Sequence, residues 1–236
     1  MALAHQPIYL FADSQLLFWK PGGSLFCRSL RDWLAAAAPK AAYLGASNAD
    51  NPEYYSLFEA AMAAIGIEQC RMIRSRFSAD DETFINEADL ILLAGGSVAR
   101  GWRVFQEMGL SDIIVRRRNE GALLVGVSAG AVQLGMYALA GDEAAGGLTE
   151  MLKLVPLVIG AHEEAQDWES LRQAIKLLKG RATGMGIQTG GGLIYYPDQS
   201  IAAIRHPLHE FVLAGNELRH SFLLPEEGRS PRTPPG

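Results

Sequence analysis

Short apolar segments alternate with amphipathic segments along most of this chain, and this alternation is the feature that most restricts its fold. Strand-like apolar character occurs at residues 7–12, 41–47, 70–75, 88–96 and 122–128. Helical spacing of apolar residues occurs at 24–38, 52–66 and 98–110. Strands that are joined by helices run parallel, because each connection has to return across the sheet. The sequence therefore predicts an α/β fold with a mostly parallel sheet and helices on both faces.

The pattern changes after residue 184, where the apolar segments become short, closely spaced and partly alternating. These segments predict antiparallel hairpins added to one end of the parallel sheet. They could also pair two subunits, which leaves a homodimer open. With no repeat and no linker in view, we expect residues 1–224 to form a single domain. The Pro/Gly-rich tail at 225–236 is typical of disordered segments.

Composition excludes several functional classes. The chain has 236 residues and a formal net charge of −5, which gives no electrostatic reason to bind nucleic acid or an anionic membrane surface. No apolar run is long enough to span a bilayer, and the N-terminal segment lacks the pattern of a secretory signal, so we expect a cytoplasmic protein. Cys27 and Cys70 have no metal-ligand spacing, and we expect no metal or other cofactor.

The segment "ALLVGVSAGAVQLG", residues 122–135, places Gly-Val-Ser-Ala-Gly between an expected strand and an expected helix. This is the context in which G-x-S-x-G forms a nucleophile elbow, so Ser128 is the candidate nucleophile. The amide of Ala129 would be the first oxyanion donor, at the start of the following helix. The amide of Gly96, at the end of the neighbouring strand in "LILLAGGS", would be the second.

A serine nucleophile needs a base, and His162 is the candidate because it follows the apolar segment "LKLVPLVIGA". That position puts His162 at the C-terminal end of a strand, at the edge where Ser128 is also expected. The carboxylate that orients the imidazole could be Asp142 or Glu143, in the Gly-flanked loop between the two. Glu164 is a reserve, since alternate residues of an extended segment share a face.

A second arrangement uses the C-terminal histidines. Asp198 followed by His206, His209 or His220 would give the Ser, Asp, His order of an α/β-hydrolase, and hence an esterase.

The motifs together resemble the serine peptidase family that includes peptidase E and cyanophycinase. The similarity covers about residues 41–204 and is carried by "LILLAGGSVARGWRVF", "VGVSAGAVQLG", "LVPLVIGAHEE" and "GMGIQTGGGLIYYP". It implies a fold related to class I glutamine amidotransferases, with serine in place of their cysteine. It also implies Ser128 as nucleophile, His162 as base, Gly96 and Ala129 as oxyanion donors, and Asp142 or Glu143 as the carboxylate.

Several positions depart from the family pattern. Gly160 and Glu163 stand where the family commonly has Asp and Phe, and Gln188 and Thr189 replace its acidic pair. Arg172 is the one arginine near the place where peptidase E binds the carboxylate of its aspartyl substrate, about two positions beyond it. The sequence thus predicts a serine-type peptidase, dipeptidase or isopeptidase-like, that hydrolyses a small peptide amide through a Ser-His-carboxylate triad. The alternatives are a catalytically silent, ligand-binding member of the same fold and the esterase above.

Overall fold

The computed structural model describes residues 6–139, 147–226 and 232–233. Seven α-helices lie in these ranges: α1 Arg28–Asp32, α2 Pro52–Ala63, α3 Ala79–Glu87, α4 Val98–Glu107, α5 Leu110–Asn119, α6 Ala129–Leu134 and α7 Glu169–Leu177. The strands are β1 Ile8–Phe11, β2 Lys40–Leu44, β3 Gln69–Ile73, β4 Leu90–Leu93, β5 Leu123–Val127, β6 Tyr137–Leu139, β7 Leu148–Glu150, β8 Val158–Ala161, β9 Gly184–Ile187, β10 Gly192–Tyr195, β11 Ile201–Ile204, β12 Leu208–Ala214 and β13 Glu217–Leu223.

A seven-stranded sheet in the order β11-β10-β1-β5-β4-β2-β3 forms the centre of the molecule. The five adjacent strands β1, β5, β4, β2 and β3 are parallel. The strand β10 pairs antiparallel with β1, and β11 pairs antiparallel with β10. The predicted α/β architecture, with a mostly parallel sheet, is confirmed. The strand β5 lies in the middle, so the segment after it emerges at the centre of the C-terminal edge of the sheet.

Both faces of this sheet are buried, which explains why its strands are apolar throughout. In β1, Ile8 and Leu10 pack into the core that also contains residues of α4, α5 and α6. Tyr9 and Phe11 point to the opposite face and pack with residues of α1 and α2. The period of two along a strand thus supplies two separate cores.

A second sheet has the order β13-β12-β9-β8, with β8 and β9 parallel and the other pairs antiparallel. The expectation that all C-terminal hairpins extend the parallel sheet is therefore half wrong: β10 and β11 do so, whereas β12 and β13 join the second sheet. Ile159 of β8 and Met185 of β9 pack in the same core as Leu134 of α6. This apolar packing, which local periodicity does not reveal, holds the second sheet against the helix that follows Ser128.

The helices also differ from their predicted bounds. The segment 24–38 contains only α1, and after it the chain turns so that the Arg31 guanidinium donates to the carbonyls of Leu34 and Ala36. The helix α3 escaped prediction because Ile85 is its one fully buried residue, so its apolar period is weak. Its start is nevertheless encoded by a capping box between Ser78 and Asp81.

None of the helices in the described ranges has the length and apolarity that a bilayer crossing requires. Of the tail predicted to be disordered, residues 225–236, positions 227–231 and 234–236 lie outside the described residues.

Candidate active site

Ser128 occupies the sharp turn between β5 and α6, as the G-x-S-x-G motif predicts. Its backbone has φ 51° and ψ −111°, which is an unfavourable region for a residue with a side chain. Such strain persists only where the surroundings enforce it, and it is concentrated at functional sites. The strained turn therefore marks Ser128 as the candidate nucleophile on structural grounds as well.

Hydrogen bonds and close packing hold this turn. The Ser128 amide donates to the Phe11 carbonyl at 2.8 Å, and the Ser128 carbonyl accepts from the amides of Ala131 and Val132 at 2.9 and 3.1 Å. Gly130 packs so closely on β4 that a Cβ there would collide with the Leu93 carbonyl. Position 130 therefore requires glycine, because α6 approaches β4 too closely there for a side chain.

His162 directly follows β8, and its side chain reaches Ser128. The distance between Ser128 Oγ and His162 Nε2 is 2.7 Å, which is a hydrogen bond. With Nε2 unprotonated, the hydroxyl donates to the imidazole, as a nucleophile does to its base. The His162 amide donates to the Ile187 carbonyl at 2.9 Å, which anchors the backbone of this exposed residue to β9.

The two predicted oxyanion donors follow the neighbouring strands β4 and β5 of the large sheet. Ala129 is the first residue of α6, so its amide has no partner within the helix. Gly96 has φ 128°, and a Cβ there would collide with the Ser47 carbonyl, so this position also requires glycine. The Ser97 amide donates to the same carbonyl at 2.9 Å, which fixes the turn that carries the Gly96 amide.

A buried polar clamp joins that turn to the helix after the nucleophile, and sequence reasoning missed it. Gln133 of α6 is fully buried, and its amide nitrogen donates to the Val98 carbonyl at 3.1 Å and to Ser47 Oγ at 3.2 Å. A buried amide that makes two hydrogen bonds specifies one arrangement of the elements it joins. A glutamine within the small, apolar segment 129–134 was the available signal.

The predicted carboxylates Asp142 and Glu143 lie outside the described residues. Glu164 begins a 3-10 turn rather than continuing an extended segment. The alternation of side chains along a strand therefore does not place it on the same face as His162. Its Oε1 accepts the Thr189 amide at 3.1 Å. Burial opposes the shift, yet the hydrogen bonds from Thr189 and the charge of His162 keep the pKa of Glu164 below its ordinary value.

The pKa of Glu163 is shifted in the opposite direction. Burial raises its pKa, against the hydrogen bond from the Leu171 amide at 3.3 Å and the charge of His162. Of these two neighbours of His162, Glu164 is therefore the more readily ionised.

The C-terminal histidines are engaged elsewhere. His209 Nδ1 and His220 Nε2 are 3.0 Å apart, and His209 Nε2 contacts the Gln188 side chain at 2.5 Å. Asp198 bonds Ser200 and Arg232. The histidine that is hydrogen-bonded to Ser128 Oγ is His162, so the α/β-hydrolase arrangement finds no support in the geometry.

Arg172, the arginine nearest the family's substrate-binding position, forms an ion pair with Asp167 on the surface. It is not part of the wall of the cavity beside Ser128.

That cavity has a volume of about 240 Å³ and opens beside Ser128, His162, Gly95 and Gly96. The remaining wall comes from the segment after β1, from β2, β4, β5 and the residues after β2 and β4, and from α2: Ala12, Asp13, Ser14, Leu17, Tyr43, Asn48, Tyr54, Leu57, Phe58, Leu92, Ala94 and Val127. Asp13 and Asn48 follow strands β1 and β2, so the rule that placed His162 at the C-terminal edge could have identified them too. The arrangement brings together the candidate nucleophile, the candidate base, the two candidate amide donors and a cavity.

Within the described ranges, no group of three or more His, Cys, Asp or Glu side chains is placed to hold a metal ion.

Comparison with known proteins gives one family and several related folds. The model of peptidase family S51 matches residues 24–202. A crystal structure of a peptidase from an acI-B1 Actinobacterium is similar with a TM-score of 0.70 and 15% identity, covering 97% of this chain and 98% of that one. A protein assigned as a peptidase E from Listeria monocytogenes EGD-e is similar with a TM-score of 0.61 and 18% identity, covering 86% and 99%. Among curated proteins, none matches this chain.

Proposed function

Because the chain belongs to peptidase family S51, a family of serine peptidases, we propose that it hydrolyses a small peptide amide by acyl transfer through Ser128 and His162. The observation that carries this proposal is the 2.7 Å hydrogen bond between Ser128 Oγ and His162 Nε2 at a strained strand-to-helix turn. The fold resemblance expected from the sequence is confirmed by the family match and by the peptidase E-like structures.

In the first step, Ser128 Oγ attacks the carbonyl carbon of the substrate while its proton moves to His162 Nε2. The carbonyl oxygen becomes an oxyanion and accepts hydrogen bonds from the amides of Gly96 and Ala129. One such donor contributes about 10²–10³-fold to the rate in comparable enzymes. As the C–N bond breaks, the imidazolium returns the proton to the leaving amine, and an ester of Ser128 remains.

In the second step, a water molecule attacks this ester while His162 accepts a proton from the water. The acid product forms, and the proton returns to Ser128 Oγ. The exposed position of His162 gives water direct access to the imidazole.

The carboxylate that orients the imidazole stays a proposal among three residues. Asp142 and Glu143 are implied by the family resemblance, and the ionised Glu164 next to His162 supports a third assignment. A carboxylate at any of these positions would stabilise the imidazolium that forms during attack.

The small cavity favours a short substrate over a folded protein, which agrees with a dipeptidase or isopeptidase-like activity. Only the residue next to the scissile bond would be enclosed.

Covalent labelling tests the proposal. A fluorophosphonate probe should label the native protein, and Ser128→Ala should abolish labelling. Ser170→Ala, at an exposed serine of α7, is the matched control and should label like the native protein. Equal labelling of Ser128→Ala and Ser170→Ala, or no labelling of the folded native protein, would overturn the assignment and would leave the ligand-binding alternative.

A further inference from the structure

We infer that the cavity beside Ser128 binds an apolar side chain, aliphatic or aromatic, on the acyl side of the scissile bond, and that it rejects an acidic one. This inference rests on the proposed function, since it names the class of residue whose carbonyl Ser128 attacks. It departs from the acidic preference that the family resemblance would suggest.

The floor of the cavity is apolar and rigid. Tyr43 of β2 and Phe58 of α2 are 4% and 1% exposed, and their ring centroids are 5.3 Å apart. Leu92 of β4 is 2% exposed and belongs to the same core. A substrate side chain that enters this space would contact rings and methyl groups, and its burial would provide the binding free energy.

The rim is also apolar. Tyr54 and Leu57 of α2 line the entrance and are 53% and 43% exposed. Large apolar side chains that converge on a cavity, and remain in water there, typically mark a surface that a ligand covers.

The polar groups of the floor already have partners. The Asn48 side-chain amide donates to the Tyr43 hydroxyl at 2.6 Å, and the Asn51 amide donates to the Asn48 carbonyl oxygen at 3.2 Å. Burial raises the pKa of Tyr43 to about 12, so its hydroxyl remains neutral. The floor therefore presents no unpaired cationic donor that a substrate carboxylate could use.

Among the described residues of the wall, the one carboxylate, Asp13, is not accompanied by a cationic side chain. Asp13 is fixed by the amides of Gln15 at 2.7 Å and Gly190 at 2.6 Å. Neither arginine nor lysine is among the described residues that line the cavity. An acidic substrate side chain would lose its hydration beside a second carboxylate, with no cation to compensate, and this costs more than an apolar side chain gains.

The position of the cavity assigns it to the acyl side. Gly96, the proposed oxyanion donor, lines the cavity together with its floor from β2, β4 and α2, and the segment after β1 contributes to the wall. The carbonyl oxygen that the Gly96 amide would bind belongs to the acyl residue. The side chain of that residue therefore lies beside the cavity.

The rates of covalent labelling by amino-acid phosphonates test this inference. In α-aminoalkyl diphenyl phosphonates, Ser128 Oγ forms a bond to phosphorus and phenol leaves, so the labelling rate reports how well the side chain fits. The analogues of phenylalanine and leucine should label the native protein about 100-fold faster than the aspartate analogue. The generic fluorophosphonate is run in parallel, because its failure would reject the nucleophile rather than the side-chain preference.

A charge variant at the rim tests the physical reason. Leu57→Arg should raise the labelling rate of the aspartate analogue relative to that of phenylalanine by about tenfold, because it supplies the missing cation. Ala60→Arg adds the same charge at an exposed position of α2 outside the cavity and should leave the ratio unchanged. If the fluorophosphonate labels Ser128 but the aspartate analogue reacts as fast as the apolar ones, or none of the three reacts, the inference is wrong.

Discussion

The two halves of the candidate active site are built in different ways. Ser128 follows a central strand of the large sheet, where hydrogen bonds and buried contacts on every side enforce a strained backbone. His162 follows β8, an edge strand of the second sheet, and its side chain is exposed. The nucleophile is therefore fixed by local packing, whereas the base is delivered by the docking of one sheet against α6.

This contrast indicates that substitutions near Ser128 affect stability and activity together. Near His162, activity can be lost while the fold is preserved. Substitutions in the two halves, and in the second sheet, test this separation.

Removal of the imidazole should produce the largest effect. His162→Asn keeps a residue that tolerates the left-handed backbone at φ 48° but provides no base. We expect kcat for a reactive dipeptide to fall by about 10⁶-fold, and the free energy of unfolding to change by less than about 0.5 kcal/mol. Urea denaturation and single-turnover kinetics measure the two quantities. Retention of more than a tenth of the activity would show that another group accepts the proton.

An added methyl group should lower the free energy of unfolding more at the turn after Ser128 than in β8. Gly130→Ala places Cβ against the Leu93 carbonyl of β4, where backbone cannot yield, so we expect a loss of about 3 kcal/mol and slower fluorophosphonate labelling.

Gly160→Ala is the matched variant in β8. Its Cβ would lie 3.1 Å from Leu171 Cδ2 and 3.2 Å from Leu171 Cβ, which a shift of a few tenths of an ångström relieves, so we expect a loss of about 1 kcal/mol or less. Equal losses for the two variants, measured by urea denaturation, would contradict the contrast between an unyielding elbow and an adaptable second sheet.

The smallest expected effect is on the pH dependence of the free energy of unfolding, through a histidine of the second sheet. Burial, and then the charge of His220, lower the pKa of His209, while Glu164 and Asp167 act in the opposite direction. As the pH falls below about 6.5, His209 gains a proton in the unfolded chain before it does so in the folded protein. The free energy of unfolding therefore decreases on acidification from pH 7 to 5.5.

His209→Phe removes this titration and retains a ring beside Trp168 and Phe222. We expect the decrease to become smaller by a fraction of a kcal/mol, since a half-buried group is partly screened by solvent. Urea midpoints at the two pH values measure it, with His206→Gln as control. An unchanged decrease in His209→Phe would show that His209 does not contribute.

Elements with local signals could be predicted from the sequence alone. The apolar strands of the parallel sheet read as strands because both faces are buried, and Gly-Val-Ser-Ala-Gly read as an elbow because glycines are needed where a helix starts tightly against a strand. The folded structure was needed to show how the remaining parts meet. It separated β12 and β13 from the large sheet, brought His162 rather than a C-terminal histidine to Ser128, and gathered Asp13, Asn48 and Tyr43 around one cavity. These contacts join residues far apart in the chain, and their free energy depends on apolar packing between elements rather than on the conformational preference of any one segment.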